Sequence, residues 1–135
     1  MLSDRLHHYA VAVADLEASR LWYEEKLDFR VEKRFVLEDA RVSIVKLISP
    51  GGVRVELLKS LRPDVPPRRA ADLVDPGEKH LCFHVDDIEA TVAELRRRGI
   101  RIAQEPKVIP ESGEKNCWIA DLEGNMIEYI EELDR

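Results

Sequence analysis

Four residues suited to holding a metal or moving a proton stand in two evenly spaced pairs. His8 and Glu56 are 56 − 8 = 48 positions apart, His80 and Glu128 are 128 − 80 = 48 apart, and the pairs are offset by 80 − 8 = 72. Glu128 lies in the run Gly124-Asn125-Met126-Ile127-Glu128-Tyr129-Ile130, an otherwise largely apolar stretch. A carboxylate there is costly unless something compensates its charge, and a divalent cation does so. Two imidazoles and two carboxylates suit a borderline ion such as Ni²⁺, Zn²⁺, Co²⁺, Mn²⁺ or Fe²⁺. Four protein ligands on a six-coordinate ion leave two positions for adjacent oxygens of a small-molecule substrate. The ion then acts as a Lewis acid on a carbonyl and acidifies the neighbouring C–H. A carboxylate beside it can move that proton as a general base.

The same offset aligns more than the four candidates. It lays Val13 on Val85, Asp15 on Asp87, Leu16 on Ile88, Glu17 on Glu89, Ala18 on Ala90, Ser19 on Thr91 and Gly52 on Gly124. Two copies of one unit are the economical explanation. Leu6–Ala14 alternates as a half-buried strand, with Tyr9, Val11 and Val13 on one face and His8, Ala10, Ala12 and Ala14 on the other. By this alternation His7 points away from His8 and is structural. Asp15 reads as the N-cap of a helix carrying Leu16, Tyr23 and Leu27. Strands are expected over 29–37, 41–49 and 53–59, the last with Glu56, Arg54 and Leu58 on one face.

The second unit repeats this order. His80, Cys82, His84 and Asp86 alternate with Leu81, Phe83 and Val85. Asp87 caps a helix with Ile88, Thr91, Val92 and Leu95 on its apolar side. Arg96-Arg97-Arg98 and Gly99 suit its C-terminal end. Strands follow over 100–104, 115–121 and 125–131. The chain thus divides into an N-terminal module (1–60), a linker (61–77) and a C-terminal module (78–135), each ordered strand–helix–strand–strand–strand. The linker holds four of the seven prolines, which forbids a central strand. Its Arg62, Arg68 and Arg69 read as solvated in preference to anion-binding.

Composition bounds the rest. A chain of 135 residues, 44% hydrophobic and 36% charged, suits one globular domain made of the two half-units. A net charge of −6 argues against nucleic acid or an anionic membrane as partner. No apolar stretch is long enough to span a bilayer, and the N-terminus does not read as a signal peptide. Two cysteines, Cys82 and Cys117, are too few for a disulfide framework, so a cytoplasmic protein with reduced thiols is expected.

With these motifs in place the chain resembles the vicinal oxygen chelate superfamily, which groups glyoxalase I, bleomycin resistance proteins and dioxygenases. The resemblance rests on His8 in His-Tyr-Ala-Val-Ala-Val-Ala-Asp, Glu56 in Val-Glu-Leu-Leu, His80 in Lys-His-Leu-Cys-Phe-His-Val-Asp, and Glu128 in Asp-Leu-Glu-Gly-Asn-Met-Ile-Glu. It covers nearly the whole chain. It implies an α+β fold of paired βαβββ modules, with mixed sheets curled around a metal-binding cavity. It also implies His8, Glu56, His80 and Glu128 as metal ligands, with Glu128 the proton-shuttling base and Glu56 a ligand and second base. Glutamate at position 56 matches the glyoxalase I pattern of a lactoylglutathione lyase, in which glutathione serves as co-substrate. Ala12 and Ser60 stand where small bacterial glyoxalase I proteins place an arginine and an asparagine for glutathione, so that recognition does not carry over. The favoured expectation is a metal-dependent lyase or isomerase. The alternatives are a CoA-thioester epimerase of the methylmalonyl-CoA epimerase type, an Fe²⁺ extradiol-type dioxygenase, and a non-catalytic bleomycin-resistance-type binding protein. Family members of this length often pair modules between two chains, so a homodimer is implied, with the site built within one chain or across two.

Other residues have two readings. His84, on the face of His80, is a substrate or acid–base candidate as much as a solvated histidine. Arg54 can hold a substrate anion or pair with an acidic neighbour. Trp118 packs, or lines the pocket mouth. Cys82 reads as a wall residue in preference to a nucleophile.

Overall fold

The computed structural model describes residues 1–66, 76–77 and 80–133. The chain forms two compact units, Met1–Pro67 and Arg68–Arg135. Of the expected linker, Pro67, Arg68 and Arg69 lie outside the described residues.

The first unit runs β1 (Tyr9–Ala12), α1 (Leu16–Leu27), β2 (Arg30–Leu37), β3 (Val42–Ile48) and β4 (Arg54–Ser60). Its sheet has the order β1-β4-β3-β2, with β1 parallel to β4 and the other pairs antiparallel. The second unit runs β5 (Leu81–His84), α2 (Ile88–Arg97), β6 (Ile102–Ile109), β7 (Glu114–Ala120) and β8 (Met126–Glu132). Its order is β5-β8-β7-β6, again with one parallel pair, β5–β8. Each unit is therefore a βαβββ module, as expected. The registers repeat too: Ala10 faces Glu56 across β1–β4, and Cys82 faces Glu128 across β5–β8.

Alternation along the strands divides each sheet into two faces. In the first unit Val45, Leu47, Val55 and Leu57 are buried on the face opposite to that of Glu56, and α1 lies against β3 and β4 with Leu16, Ser19 and Tyr23 buried. The Tyr23 ring meets Phe29 edge-on at 5.7 Å. In the second unit Cys117, Ile119, Ile127 and Tyr129 are buried beneath α2, whose Ile88, Val92 and Leu95 follow an i, i+4, i+7 stripe. Ser19 was not anticipated as a core residue. It falls on the Leu16–Tyr23 stripe at i+3 and is small enough to let the helix backbone approach the sheet.

Both helices are capped as the sequence demands. Asp15 Oδ1 accepts from the Ala18 N–H and Asp87 Oδ1 from the Ala90 N–H, each at 3.0 Å. The end of α2 is a Schellman arrangement: Gly99 donates to Arg96 O at 2.9 Å and Ile100 to Leu95 O at 3.0 Å, with Gly99 at φ 75°. The turns before β4 and β8 are also copies. Ser49 Oγ accepts from the Val53 N–H at 3.0 Å, and Asp121 Oδ1 from the Asn125 N–H at 2.8 Å. Gly52 and Gly124 both sit at φ 88°, where a side chain would be strained.

Three expectations need correction. The first strand is shorter than Leu6–Ala14, because its parallel partner β4 begins only at Arg54 and offers no ladder earlier. His8 and His80 consequently sit just ahead of β1 and β5. The alternation argument for His7 fails for the same reason: its Nδ1 lies 2.8 Å from His8 Nδ1, with the rings edge-on at 5.1 Å. The strand expected over 100–104 instead runs Ile102–Ile109 and takes in Pro106. An edge strand accepts a proline where the ladder is interrupted, and the β6–β7 register shifts between Gln104 and Lys107. No helix among the described residues is long and apolar enough to cross a membrane.

The caps give a direct check on the fold. Asp87→Ala leaves first-turn N–H groups of α2 without their acceptor and is expected to cost about 1 kcal/mol in urea unfolding, with Asp87→Asn recovering most of the loss.

Candidate functional site

Each unit brings one predicted histidine and one predicted glutamate into contact. His8 Nε2 lies 2.6 Å from Glu56 Oε2, and His80 Nε2 lies 3.1 Å from Glu128 Oε1. The pairing follows from the parallel ladders. Ala10 is opposite Glu56 and Cys82 opposite Glu128, so the residue two positions earlier on the same face reaches diagonally to the carboxylate. The glutamates are buried, at 9% and 8% exposure, and the histidines are half-buried. A carboxylate so enclosed must be hydrogen-bonded or charge-paired, and both are.

The second carboxylate oxygen is where the two units part company. Glu56 Oε1 lies 3.3 Å from Lys46 Nζ, the ammonium of its register partner on β3. Glu128 Oε2 accepts from Asn116 Nδ2 at 2.9 Å, and Asn116 Oδ1 in turn accepts from Gln104 Nε2 at 3.0 Å. Asn116 is itself buried. Trp118, the register partner of Glu128 on β7, sets its ring edge-on to His80 at 4.5 Å between centroids. Lys46 and Trp118 are counterparts under the 72-residue offset. One glutamate therefore faces a cation, and the other faces a neutral amide chain beside an indole.

Lys46, Asn116 and Gln104 were not singled out from the sequence. The signal was present: Lys46 is a lone charge within the largely apolar strand Val42–Ile48, and the argument made for Glu128 applies to it equally. The other candidates fall as follows. Arg54 pairs with Glu32 across 3.0 Å. His84 is exposed, four residues beyond His80 and so about 13 Å further along its strand. Trp118 packs on His80. Cys82 stands beside Glu128, and partial desolvation together with that carboxylate pushes its thiol up to about 12. It stays protonated near neutrality and is a wall residue.

As a donor set these residues fit a borderline divalent ion. Each unit contributes one imidazole nitrogen and one carboxylate oxygen already side by side, a soft–hard mixture such ions accept. Among the described residues no three His, Cys, Asp or Glu side chains converge, so the two-residue pair is what each unit supplies. The Nδ1 contact from His7 to His8 and the amide chain behind Glu128 have the character of outer supports that orient ligands.

Comparison with known proteins adds an independent line. Residues 7–120 match the family model described as the Glyoxalase/Bleomycin resistance protein/Dioxygenase superfamily. The chain is 33% identical over 130 residues to the mitochondrial methylmalonyl-CoA epimerase of Bos taurus, covering 92% of this chain and 72% of that protein. It is 34% identical over 109 residues to the Homo sapiens counterpart, covering 77% of this chain and 60% of that protein. Among solved structures, the glyoxalase family protein from Enterococcus faecalis superposes with a TM-score of 0.80 at 26% identity, covering 96% of this chain and 99% of that chain.

The amide chain yields a prediction separate from catalysis. Asn116→Leu removes the donor to a buried carboxylate oxygen and strands the Gln104 amide. It is expected to lower stability by about 1–3 kcal/mol in urea unfolding of metal-free protein. The double variant with Gln104→Leu should cost little more, since both side chains serve one chain of bonds.

Proposed function

Because the chain belongs to the Glyoxalase/Bleomycin resistance protein/Dioxygenase superfamily, we propose that it is a metal-dependent lyase or isomerase, one that moves a proton on the carbon beside a chelated carbonyl. The observation that carries this reading is the repeated His–Glu contact, present at equivalent positions of both units and buried in each. His8, Glu56, His80 and Glu128 would hold the ion. When bound, the metal supplies Lewis acidity toward the substrate carbonyl and lowers the barrier to removing the adjacent proton.

The chain's own residues divide the work. Glu128 takes and returns the proton. Asn116 holds its Oε2 in place through a hydrogen bond, which orients the carboxylate. Trp118 packs edge-on against His80 and restricts how its ring can turn. Glu56, paired with Lys46, is the more electrostatically committed carboxylate and serves as ligand, with any base role secondary. A protonated Cys82 leaves no thiolate next to the reacting carbon.

For the substrate, the likeness to methylmalonyl-CoA epimerases supports an acyl thioester with an acidic α-proton. Ala12 and Ser60 point the same way, since the residues that hold glutathione in small glyoxalase I proteins are missing. The glutathione hemithioacetal is the second reading, favoured by glutamate at position 56.

The test joins metal content to proton exchange. Purified protein loaded with Ni²⁺, Zn²⁺ or Co²⁺ is expected to retain one metal per chain after desalting. It should also incorporate deuterium at C2 of methylmalonyl-CoA in D₂O. Glu128→Gln should keep the fold and lose exchange by about 10²-fold or more. Exchange into the methylglyoxal–glutathione product instead would select the second reading. Metal without exchange on either substrate, or no metal under any loading, would overturn the proposal.

A further inference from the structure

The face of the first unit that carries His8 and Glu56 is unusually cationic for so acidic a chain. Lys33 on β2 and Lys46 on β3 are direct register partners, so two ammonium-bearing side chains stand next to each other on that face. Like charges directly opposite in a sheet are destabilising unless something offsets them. Phe35, two residues beyond Lys33 on the same strand, lies under both. The Lys33 and Lys46 nitrogens sit 5.8 Å and 5.7 Å from its ring centroid. A ring quadrupole attracts cations but carries no net charge. Lys46 shares Glu56 with His8, and Arg54 is matched by Glu32. Among the described residues no carboxylate pairs with Lys33. One positive charge is left over, one strand beyond the Lys46 that contacts Glu56, in a protein whose net charge is −6.

The fold does not impose this. The counterpart of the Lys33–Lys46 pair in the second unit is Gln104–Trp118, since the β6–β7 register is shifted there and Glu105 pairs instead with Arg96 of α2. The second unit shows that the module accommodates a neutral amide and an indole at these positions.

From this geometry we infer that Lys33, Lys46 and Phe35 form an anion subsite that receives an acidic group of the substrate. That group is distinct from the oxygens expected to reach the metal, and the ring provides an apolar floor for the carbon next to it. The inference rests on this face being the substrate face. It narrows the substrate class to one carrying a second anionic group, either a carboxylate on the acyl portion or a phosphate on its carrier.

Isothermal titration of the full chain, metal-free and at low salt, separates this claim from the metal reading, since no metal enters the measurement. The probes are malonyl-CoA, acetyl-CoA and inorganic phosphate. If the subsite takes a carboxylate, malonyl-CoA binds more tightly than acetyl-CoA, and Lys33→Gln removes about tenfold of affinity from malonyl-CoA alone. If it takes phosphate, all three probes bind and Lys33→Gln weakens all three. Lys33→Arg, which preserves the charge, retains binding in either case. Lys33 touches neither Glu56 nor His8, so this variant leaves the metal-binding pair intact, and Lys46→Gln serves as the second variant. Affinities unchanged by Lys33→Gln and Lys46→Gln, or no binding of any probe, would overturn the subsite whatever the metal content proves to be.

Discussion

The rest of the structure depends on the burial of two carboxylates on the faces of β4 and β8 that turn away from the helices. A glutamate at 8% or 9% exposure cannot be left alone. Both are enclosed because they occupy the middle of interior strands, with laddered neighbours on either side. The same enclosure makes them useful, since an oriented carboxylate in a poorly hydrated place interacts strongly with whatever charge is brought to it. The compensation inside each unit is complete on its own terms: among the described residues no buried side-chain nitrogen or oxygen lacks a partner. A metal at these positions would exchange one set of satisfied contacts for another and would not rescue a broken one.

Much of this was legible in the sequence, for reasons that concern particular residues. Glu56 and Glu128 stood out as charges in apolar strands. Asp15 and Asp87 declared helix starts, and the constant 72-residue offset turned two weak readings of each element into one firm reading. What escaped depends on cross-strand register. Lys46 meets Glu56 only because β3 and β4 pair with those residues opposite, and Asn116 meets Glu128 only because it lies diagonally on β7. Neither relation shows in the spacing along one strand. His7 escaped for the opposite reason. Strand periodicity was extended past the point where a partner strand exists, and beyond that point the backbone is free to turn neighbouring rings toward each other.

The two units also show which positions the module fixes and which it leaves open. Backbone demands are met twice in the same way, by Gly52 and Gly124 at identical φ and by Asp15 and Asp87 at the caps. Where a side-chain acceptor is needed before the last strand, Ser49 and Asp121 are interchangeable, because either oxygen closes the turn. The positions beside the glutamates obey no such rule. Lys46 against Trp118, and Ile44 against Asn116, differ in charge and polarity, yet the two sheets have the same strand order.

That freedom is what allows one duplicated scaffold to hold two carboxylates in unlike surroundings. Glu56 has the Lys46 ammonium 3.3 Å from its second oxygen. Glu128 has the Asn116 amide donating to its second oxygen, which fixes the direction of the carboxylate. Two identical half-units would give both carboxylates the same neighbours. The symmetry is broken at Lys46 and Asn116, one strand away from the glutamates, without disturbing the His–Glu pairs themselves. The divergence of these neighbours therefore distinguishes the two carboxylates, which the repeat alone does not.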